Sequence, residues 1–127
     1  MKTHIEIARS PIVTPAMELS GHEIGACLEF SGIVREQENG KKIPGLYYDA
    51  YEPMARKTLE QILQQLSTRH SCEAVWFIHR LGFVPVGEAS LFIRIISKHR
   101  QASLDLMGEL INQLKADVPI WKRADGM

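Results

Sequence analysis

The sequence predicts an α+β domain in which an antiparallel or mixed sheet carries about three helices. Runs of β-branched, aromatic or alternating apolar residues are typical of strands and occur in neighbouring pairs along the chain. Two longer stretches instead repeat their apolar residues at helical spacing. The predicted order is strand, helix, two strands, helix, two or more strands, helix and a final extended piece, which favours helices packed on a sheet with hairpin connections.

The first elements are a short strand and a short helix. Alternating residues predict a strand over 4–8. Thr14 followed by Pro15 is a favourable helix start, a hydroxyl cap with proline at the first helical position, and Gly21 is a suitable end. We therefore expect a helix between these residues.

The next elements are two strands joined by a long connection. Residues 25–34 are mostly apolar or small, which predicts a largely buried strand. Residues 36–45 are polar with glycine and proline, as in a loop. Residues 46–51 are rich in aromatics and predict a strand that pairs with 25–34 as a hairpin.

The second half repeats this alternation of helix and strands. Pro53 begins a helix whose apolar stripe is Leu59, Ile62, Leu63 and Leu66. Strands follow over 74–80 and 89–97, with a turn-rich connection over 84–88. A last helix runs from about Gln101 to the region of Lys115.

The end of the last helix places two lysines on different elements. If the helix continued through both residues, Lys115 and Lys122 would share one face, since seven residues are close to two turns. Pro119 lacks a backbone donor and disfavours helical geometry at Val118, so the helix should end near Asp117. Lys122 then lies on an extended segment that turns back beside Lys115, with the neighbouring tryptophan as an anchor.

Such an arrangement has a chemical and an ordinary interpretation. Two neighbouring ammonium groups disfavour each other's charged form, which can make a lysine a usable nucleophile or base. Alternatively, Lys115 and Lys122 are solvated cations at a helix end, where the helix dipole favours them. This stretch alone leaves both interpretations open.

Composition restricts the other functional classes. The 127 residues predict one domain over 1–127, and fifteen basic residues balance fifteen acidic ones, so no net charge attracts nucleic acid or a membrane. Cys27 and Cys72 lack metal-ligand spacing and are expected to be ordinary core thiols, so we predict no metal site and no cofactor. No signal-peptide core or membrane-length apolar run is seen, which predicts a cytoplasmic protein. Neither a glycine-rich phosphate loop nor a nucleophile elbow is present.

Cations at the ends of predicted elements indicate an anionic ligand. Arg35 follows one strand, and His99 and Arg100 stand where another strand gives way to the last helix. The free backbone N–H groups of that helix start add to their attraction for anions. With Lys115 and Lys122, these groups suit a phosphorylated small molecule, because guanidinium groups bind phosphate in a bidentate manner.

Five motifs give the chain a resemblance to a known family. In order and spacing it is similar to the catalytic, large subunit of molybdopterin synthase over roughly residues 25 to 123. The motifs are Phe30-Ser31-Gly32-Ile33-Val34-Arg35, Tyr48-Asp49-Ala50-Tyr51-Glu52-Pro53-Met54-Ala55, His79-Arg80-Leu81-Gly82 with Val86-Gly87-Glu88, Ser97-Lys98-His99-Arg100, and Leu114-Lys115 with Val118-Pro119-Ile120-Trp121-Lys122.

The resemblance implies an α/β-hammerhead-like fold and a sulfurtransferase. The family's enzyme converts cyclic pyranopterin monophosphate to molybdopterin, taking sulfur from the thiocarboxylated Gly-Gly tail of a small ubiquitin-like carrier subunit. It also implies a homodimer with one carrier at each end. The residues matching Lys115 and Lys122 are the family's catalytic pair, and those matching Arg35, His99 and Arg100 bind the substrate.

The chain departs from the family pattern in two places, and two other functions stay open. The family commonly continues well beyond the tryptophan-lysine motif, and Phe83 stands where an acidic residue is usual. A non-catalytic homologue that binds the carrier or a phosphorylated ligand is the main alternative, although it would need neither Lys115 nor Lys122. A nucleic-acid-binding domain would require a basic stripe with exposed aromatics, which the balanced charge disfavours.

Overall fold

A computed structural model describes residues 1–19 and 21–124. The strands are β1 (Lys2–Ala8), β2 (Ala26–Ile33), β3 (Gln37–Glu38), β4 (Lys41–Lys42), β5 (Gly45–Ala50), β6 (Cys72–Arg80), β7 (Gly82–Pro85), β8 (Ala89–Ser97) and β9 (Ile120–Arg123), and the helices are α1 (Glu52–Ser67) and α2 (Arg100–Asp117).

The larger sheet has four strands in the order β1-β6-β8-β2. β1 runs parallel to β6, and the other two pairs are antiparallel, so the sheet is mixed. The predicted α+β class is therefore confirmed. β8 begins and ends where the sequence predicted, because its unbroken apolar run suits a central strand that is covered on both faces.

Both helices pack on one face of this sheet. The apolar stripe of α1 is buried, as its spacing predicted, and it meets the inner face of α2. Alternate residues of the central strands, such as Phe77, Ile93 and Ile95, complete this core with no exposed surface. These fully buried side chains make the layer of helices and sheet the rigid base on which the rest of the molecule is built.

A second, three-stranded sheet has the order β7-β5-β9. The predicted hairpin between 25–34 and 46–51 is wrong, because β2 pairs with β8 whereas β5 pairs with β7 and β9. The residues predicted as a turn-rich connection overlap the end of β7. β5 fits closely against β7, since a Cβ at Gly45 would collide with the Val84 carbonyl oxygen and the Phe83 ring.

The connection between the two sheets contains a small hairpin of β3 and β4. Its turn is Asn39-Gly40, and both residues have positive φ angles (53° and 77°), as a type I′ turn requires. The sequence predicted only a loop here. This hairpin brings the carboxylate of Glu38 close to β9.

The predicted helix between Thr14 and Gly21 is wrong. Residues 14–19 have no helical structure, and the described residues contain two helices instead of three. The capping signals are local, whereas a helix this short needs an apolar face to bury, and Met17 and Leu19 are exposed. The segment therefore gains nothing from helical geometry.

The chain reversal after α2 follows the prediction. α2 ends at Asp117, and Val118 adopts extended angles (φ −86°, ψ 128°) before Pro119. β9 then pairs antiparallel with β5, so that Lys122 is opposite Tyr48. The final residues 125–127, which were predicted as a short tail, lie outside the described residues.

Candidate functional site

The two predicted lysines line one cavity of about 540 Å³. It lies where the C-terminal end of α2 meets both sheets. Its walls come from β2, β5, the end of β6, β8, α2 and β9. The lining residues are Phe30, Gly32, Ile33, Tyr48, His79, Ser90, Leu91, Ile111, Leu114, Lys115, Ile120, Trp121 and Lys122.

Lys115 and Lys122 reach this cavity from different elements. Lys115 is in the last turn of α2, and Lys122 lies on β9. Lys122 Nζ is 3.6 Å from Glu38 Oε1, and its side chain is half exposed. Among residues 1–19 and 21–124, no carboxylate oxygen is within 4.0 Å of the Lys115 ammonium. Lys115 is thus the cation that is open to an incoming anion.

The mouth of the cavity is apolar and partly exposed. Phe30 and Ile33 of β2 are exposed on one side, and Trp121 of β9 is 41% exposed on another. The Trp121 ring packs edge-on against Tyr51, with ring centroids 5.0 Å apart. Trp121 is therefore held in place, as the sequence predicted for an anchor, but it also presents one face to solvent.

Arg35 lies beside the cavity but does not line it. Its side chain is exposed, two positions beyond Ile33, which does line it. The backbone of the intervening Val34 is held by hydrogen bonds with Glu88 and Gly87. Arg35 is thus next to the cavity along the chain.

His99 and Arg100 are at the other end of α2. His99 caps the helix and Arg100 is its first residue, and both are exposed. Arg100 and Lys115 are fifteen positions apart on the helix, which is about 22 Å along the axis. Within one chain, His99 and Arg100 therefore do not line the cavity that Lys115 and Lys122 share, because a straight helix holds its two ends apart.

The start of α2 is nevertheless well ordered by hydrogen bonds. Ser97 Oγ donates to the His99 carbonyl oxygen (2.7 Å) and contacts Ser103 Oγ (2.5 Å). Gly25 approaches this corner so closely that a Cβ would collide with the Lys98 carbonyl oxygen. These contacts fix the backbone at Lys98 and His99, directly before the helix.

His79 is a cavity residue that the sequence prediction did not assign to the site. It is at the end of β6, opposite Ile7 and Leu91, and is 5% exposed. Its Nδ1 is 2.9 Å from the Arg80 carbonyl oxygen. Burial lowers the pKa of His79 from its ordinary 6.5, and the hydrogen bond to the carbonyl opposes this in part. The only signal in the sequence was the motif that contains it.

The burial of one of the two cysteines differs from the prediction. Cys72 is buried, as expected of a core thiol, but Cys27 is exposed. β2 is the edge strand of the larger sheet, so its residues have a neighbouring strand on one side only. Neither cysteine lines the cavity.

Neither helix is long and apolar enough to cross a membrane, within the part of the chain that the structure describes.

The fold and the site define an α+β protein with an aromatic-walled cavity that is lined by two lysines. A family model described as MoaE protein matches residues 7–117, and the chain belongs to this family. Members of the family that resemble it include the molybdopterin synthase catalytic subunit 1 of Aedes aegypti, which is 43% identical over 114 residues, covering 86% of this chain and 74% of that protein.

Solved structures agree with this assignment. A crystal structure of molybdopterin synthase from Staphylococcus aureus is 31% identical, with a TM-score of 0.84, and covers 96% of this chain and 90% of that one. A protein–protein complex of subunits 1 and 2 of the molybdopterin-converting factor from Helicobacter pylori is also 31% identical, with a TM-score of 0.68 and coverage of 79% and 65%. The chain spans about half the length of several curated relatives, 57% for Pyricularia oryzae and 53% for the human protein.

Proposed function

We propose that this protein is the catalytic subunit of a molybdopterin synthase, which transfers sulfur from a thiocarboxylated carrier protein to cyclic pyranopterin monophosphate to form the dithiolene. The observation that carries the proposal is that Lys115 and Lys122, on two separate elements, line one cavity. Relatives named molybdopterin synthase catalytic subunit and the family match support the same reaction.

The two lysines suit the charges of this reaction. The phosphate of the pterin and the thiocarboxylate of the carrier are both anions, and an ammonium group stabilises the negative charge that develops during acyl transfer. Lys115 has the more available ammonium, since Glu38 neutralises part of the charge of Lys122. We assign Lys115 to the reacting acyl or pterin carbon and Lys122 to holding the anion.

The cavity mouth suits the tail of a small carrier subunit. A Gly-Gly tail has no side chains and enters a narrow opening in an extended form. Phe30, Ile33 and Trp121 give the opening an apolar rim on which such a tail can pack. The Helicobacter pylori complex of two subunits supports a partner of this kind. The proposed partner is a ubiquitin-like carrier, with no role for nucleic acid or membrane.

A homodimer would bring the missing cations to the cavity. His99 and Arg100 are too far from Lys115 to meet the same ligand in one chain, because α2 separates them by about 22 Å. If they bind the substrate, as the family resemblance implies, they do so from a second copy of the chain. We therefore propose a homodimeric core in which each cavity takes His99 and Arg100 from the partner, while Arg35 serves the cavity of its own chain.

The proposed location is the cytoplasm. The thiols of Cys27 and Cys72 are unpaired by a disulfide, which is the usual state of cytoplasmic proteins. A cytoplasmic carrier with a reactive thiocarboxylate would also need reducing surroundings.

The direct test is reconstitution. The protein is incubated with a thiocarboxylated carrier and the cyclic pterin, and dithiolene product is measured. We expect product together with one carrier carboxylate for each sulfur transferred. A chain that binds the carrier but forms no product would be the non-catalytic homologue, and the proposal would be wrong.

A further inference from the structure

His79 is a buried histidine that lines the cavity. The proposed roles of the two lysines do not involve it. It lies on the helix-facing side of the larger sheet, level with Leu91 of β8. Lys115 and Lys122 line the same cavity from α2 and β9. Within the described residues, no carboxylate oxygen lies within 4.0 Å of the His79 ring nitrogens. A buried imidazole that lines a cavity without such a partner is a candidate for chemistry.

The hydrogen bond of His79 determines which nitrogen is free. A carbonyl oxygen accepts only, so Nδ1 must carry the hydrogen in its 2.9 Å contact with the Arg80 carbonyl. In the neutral ring the other nitrogen, Nε2, therefore holds a lone pair. The ring is held from the sides by Tyr48, whose centroid is 5.2 Å away, and by Phe77 at 6.4 Å. This leaves Nε2 as an oriented proton acceptor.

The charged groups that line cavities with His79 come from three elements. Lys115 of α2 and Lys122 of β9 are the charged residues in the main cavity, and both are basic. Glu6 of β1 lines a separate cavity of about 100 Å³ that also touches His79. The contacts from β5 and β8 are Tyr48, Ser90 and Leu91, which carry no charge at neutral pH. Burial lowers the pKa of the ring, which favours the neutral form that can accept a proton from water during the reaction.

We propose that His79 is the general base for the water that releases the carrier after each sulfur has been attached to the pterin. This inference rests on the proposed function, in which a carbon of the pterin becomes joined through sulfur to the acyl carbon of the carrier. That thioester must be cleaved to leave the sulfur on the pterin. A neutral acceptor nitrogen in the cavity is the group that hydrolysis requires.

The step balances as a hydrolysis without redox change. The water oxygen forms a bond to the carrier's acyl carbon, and one water proton passes to His79 Nε2. The acyl carbon–sulfur bond breaks, and its electron pair stays on sulfur as the pterin thiolate, next to the ammonium groups of Lys115 and Lys122. The second proton leaves the new carboxylic acid for solvent, and the carrier departs as a carboxylate.

Two variants distinguish the roles of the two imidazole nitrogens. His79→Asn keeps a donor near the position of Nδ1 and removes Nε2, whereas His79→Gln places an amide near Nε2 that cannot be protonated. Each is mixed with the thiocarboxylated carrier and the cyclic pterin in a single turnover. Mass spectrometry then follows the carrier–pterin adduct and the released carrier carboxylate separately.

We expect both variants to form the adduct at the wild-type rate and to release the carrier about a hundredfold more slowly, so that the adduct accumulates. The wild-type release rate should fall as pH is lowered through the pKa of His79, while release by the variants should not depend on this group. His22→Gln, at an exposed histidine outside the cavity, is the matched control for loss of a histidine. Carrier affinity should be unchanged in all three variants.

Release of the carrier by His79→Asn at the wild-type rate and with the wild-type pH profile would overturn the proposal. If neither variant folds, the pH profile of carrier release by the wild-type protein is the test. A release rate that does not fall at low pH then overturns the proposal. A wild-type protein that forms neither adduct nor product refutes the proposed function itself, and the role of His79 with it. Adduct formation without a His79 effect refutes this inference alone.

Discussion

The two ends of helix α2 carry similar cationic side chains in very different surroundings. At the C-terminal end, Lys115 faces a cavity that β9 closes with a second lysine. At the N-terminal end, His99 and Arg100 are exposed and belong to none of the cavities described above. The difference arises because the chain folds back at the C-terminal end of the helix, so that β9 faces Lys115. At the N-terminal end, the chain passes from β8 into the helix without folding back. Cations at an element end form a site only where a second element returns to face them.

This difference divides the proposed site into a part that one chain builds and a part that it does not. The cavity, the two lysines and His79 are complete within one chain. His99 and Arg100 present their charge outwards, with the N-terminal end of the helix dipole behind them, which also attracts anions. The proposed dimer would join the two parts, and variants at each end test this division.

The largest expected effect is at the cavity end. Lys115→Ala should lower the single-turnover rate of product formation by roughly a hundredfold or more, since general acid–base and electrostatic groups contribute at least this much. Lys57→Ala, an exposed lysine on α1, is the matched control and should keep the wild-type rate. Full turnover by Lys115→Ala would remove the proposed mechanism.

At the other end, Arg100→Ala should weaken binding of the phosphorylated pterin by roughly ten- to a hundredfold, the value of one or two hydrogen bonds to a charged group. The dissociation constant of the pterin measures this effect, with Arg69→Ala as a control at an exposed arginine near the end of α1. An unchanged dissociation constant would argue that this end of α2 does not contact the substrate.

A mixture of Lys115→Ala and Arg100→Ala, assayed at a pterin concentration too low to fill the weakened site of Arg100→Ala, tests whether the ends meet in a dimer. If each cavity takes Lys115 from one chain and Arg100 from the other, a mixed dimer contains one intact site. An equal mixture should then regain about a quarter of the wild-type activity, assuming random exchange in a two-fold dimer. No recovery after verified exchange of chains would show that the ends do not cooperate across copies.

A smaller effect is expected from the ion pair beside the cavity. Glu38→Gln frees the Lys122 ammonium, which is 3.6 Å from the carboxylate, and should tighten pterin binding by about two- to fivefold. The half-exposed side chain of Lys122 keeps this effect small. Glu36→Gln in the same connection is the control, and equal affinities for both variants would mean that Glu38 does not compete with the ligand.

The smallest effect is on the pH dependence of stability. The pKa of His79 is lower in the folded protein than its ordinary 6.5, so between these two values the unfolded chain binds more protons. The free energy of unfolding should therefore fall as pH is lowered through this window. Urea unfolding of His79→Gln should show a weaker fall than the wild type. The same fall in both proteins would mean that burial of His79 does not contribute to it.

Several elements were predictable because their signals are local and strong. The apolar run of β8, the leucine stripe of α1 and the stop imposed by Pro119 each act within a few residues, and the structure agrees with all three. The helix expected after Thr14 failed because capping residues cannot replace an apolar face. Local signals thus predicted elements correctly where burial supported them.

Pairing and burial depended on distant residues. β2 pairs with β8, more than fifty residues further along the chain, and its position at the sheet edge leaves Cys27 exposed. Nothing near residues 25–34 or 46–51 distinguishes this partner from the hairpin that was expected. The burial of His79 depends on distant residues too, since Ile7 of β1 and Leu91 of β8 lie opposite it in the larger sheet.

By itself, the sequence determined the fold class, the end of α2 and the placement of Lys115 and Lys122 on separate elements, because proline and apolar periodicity act on the local backbone. Only the tertiary structure decided that these lysines share a cavity with His79, and that His99 and Arg100 do not line it. Distances between elements depend on how strands pair and helices pack, and these contacts join residues that are far apart in the sequence.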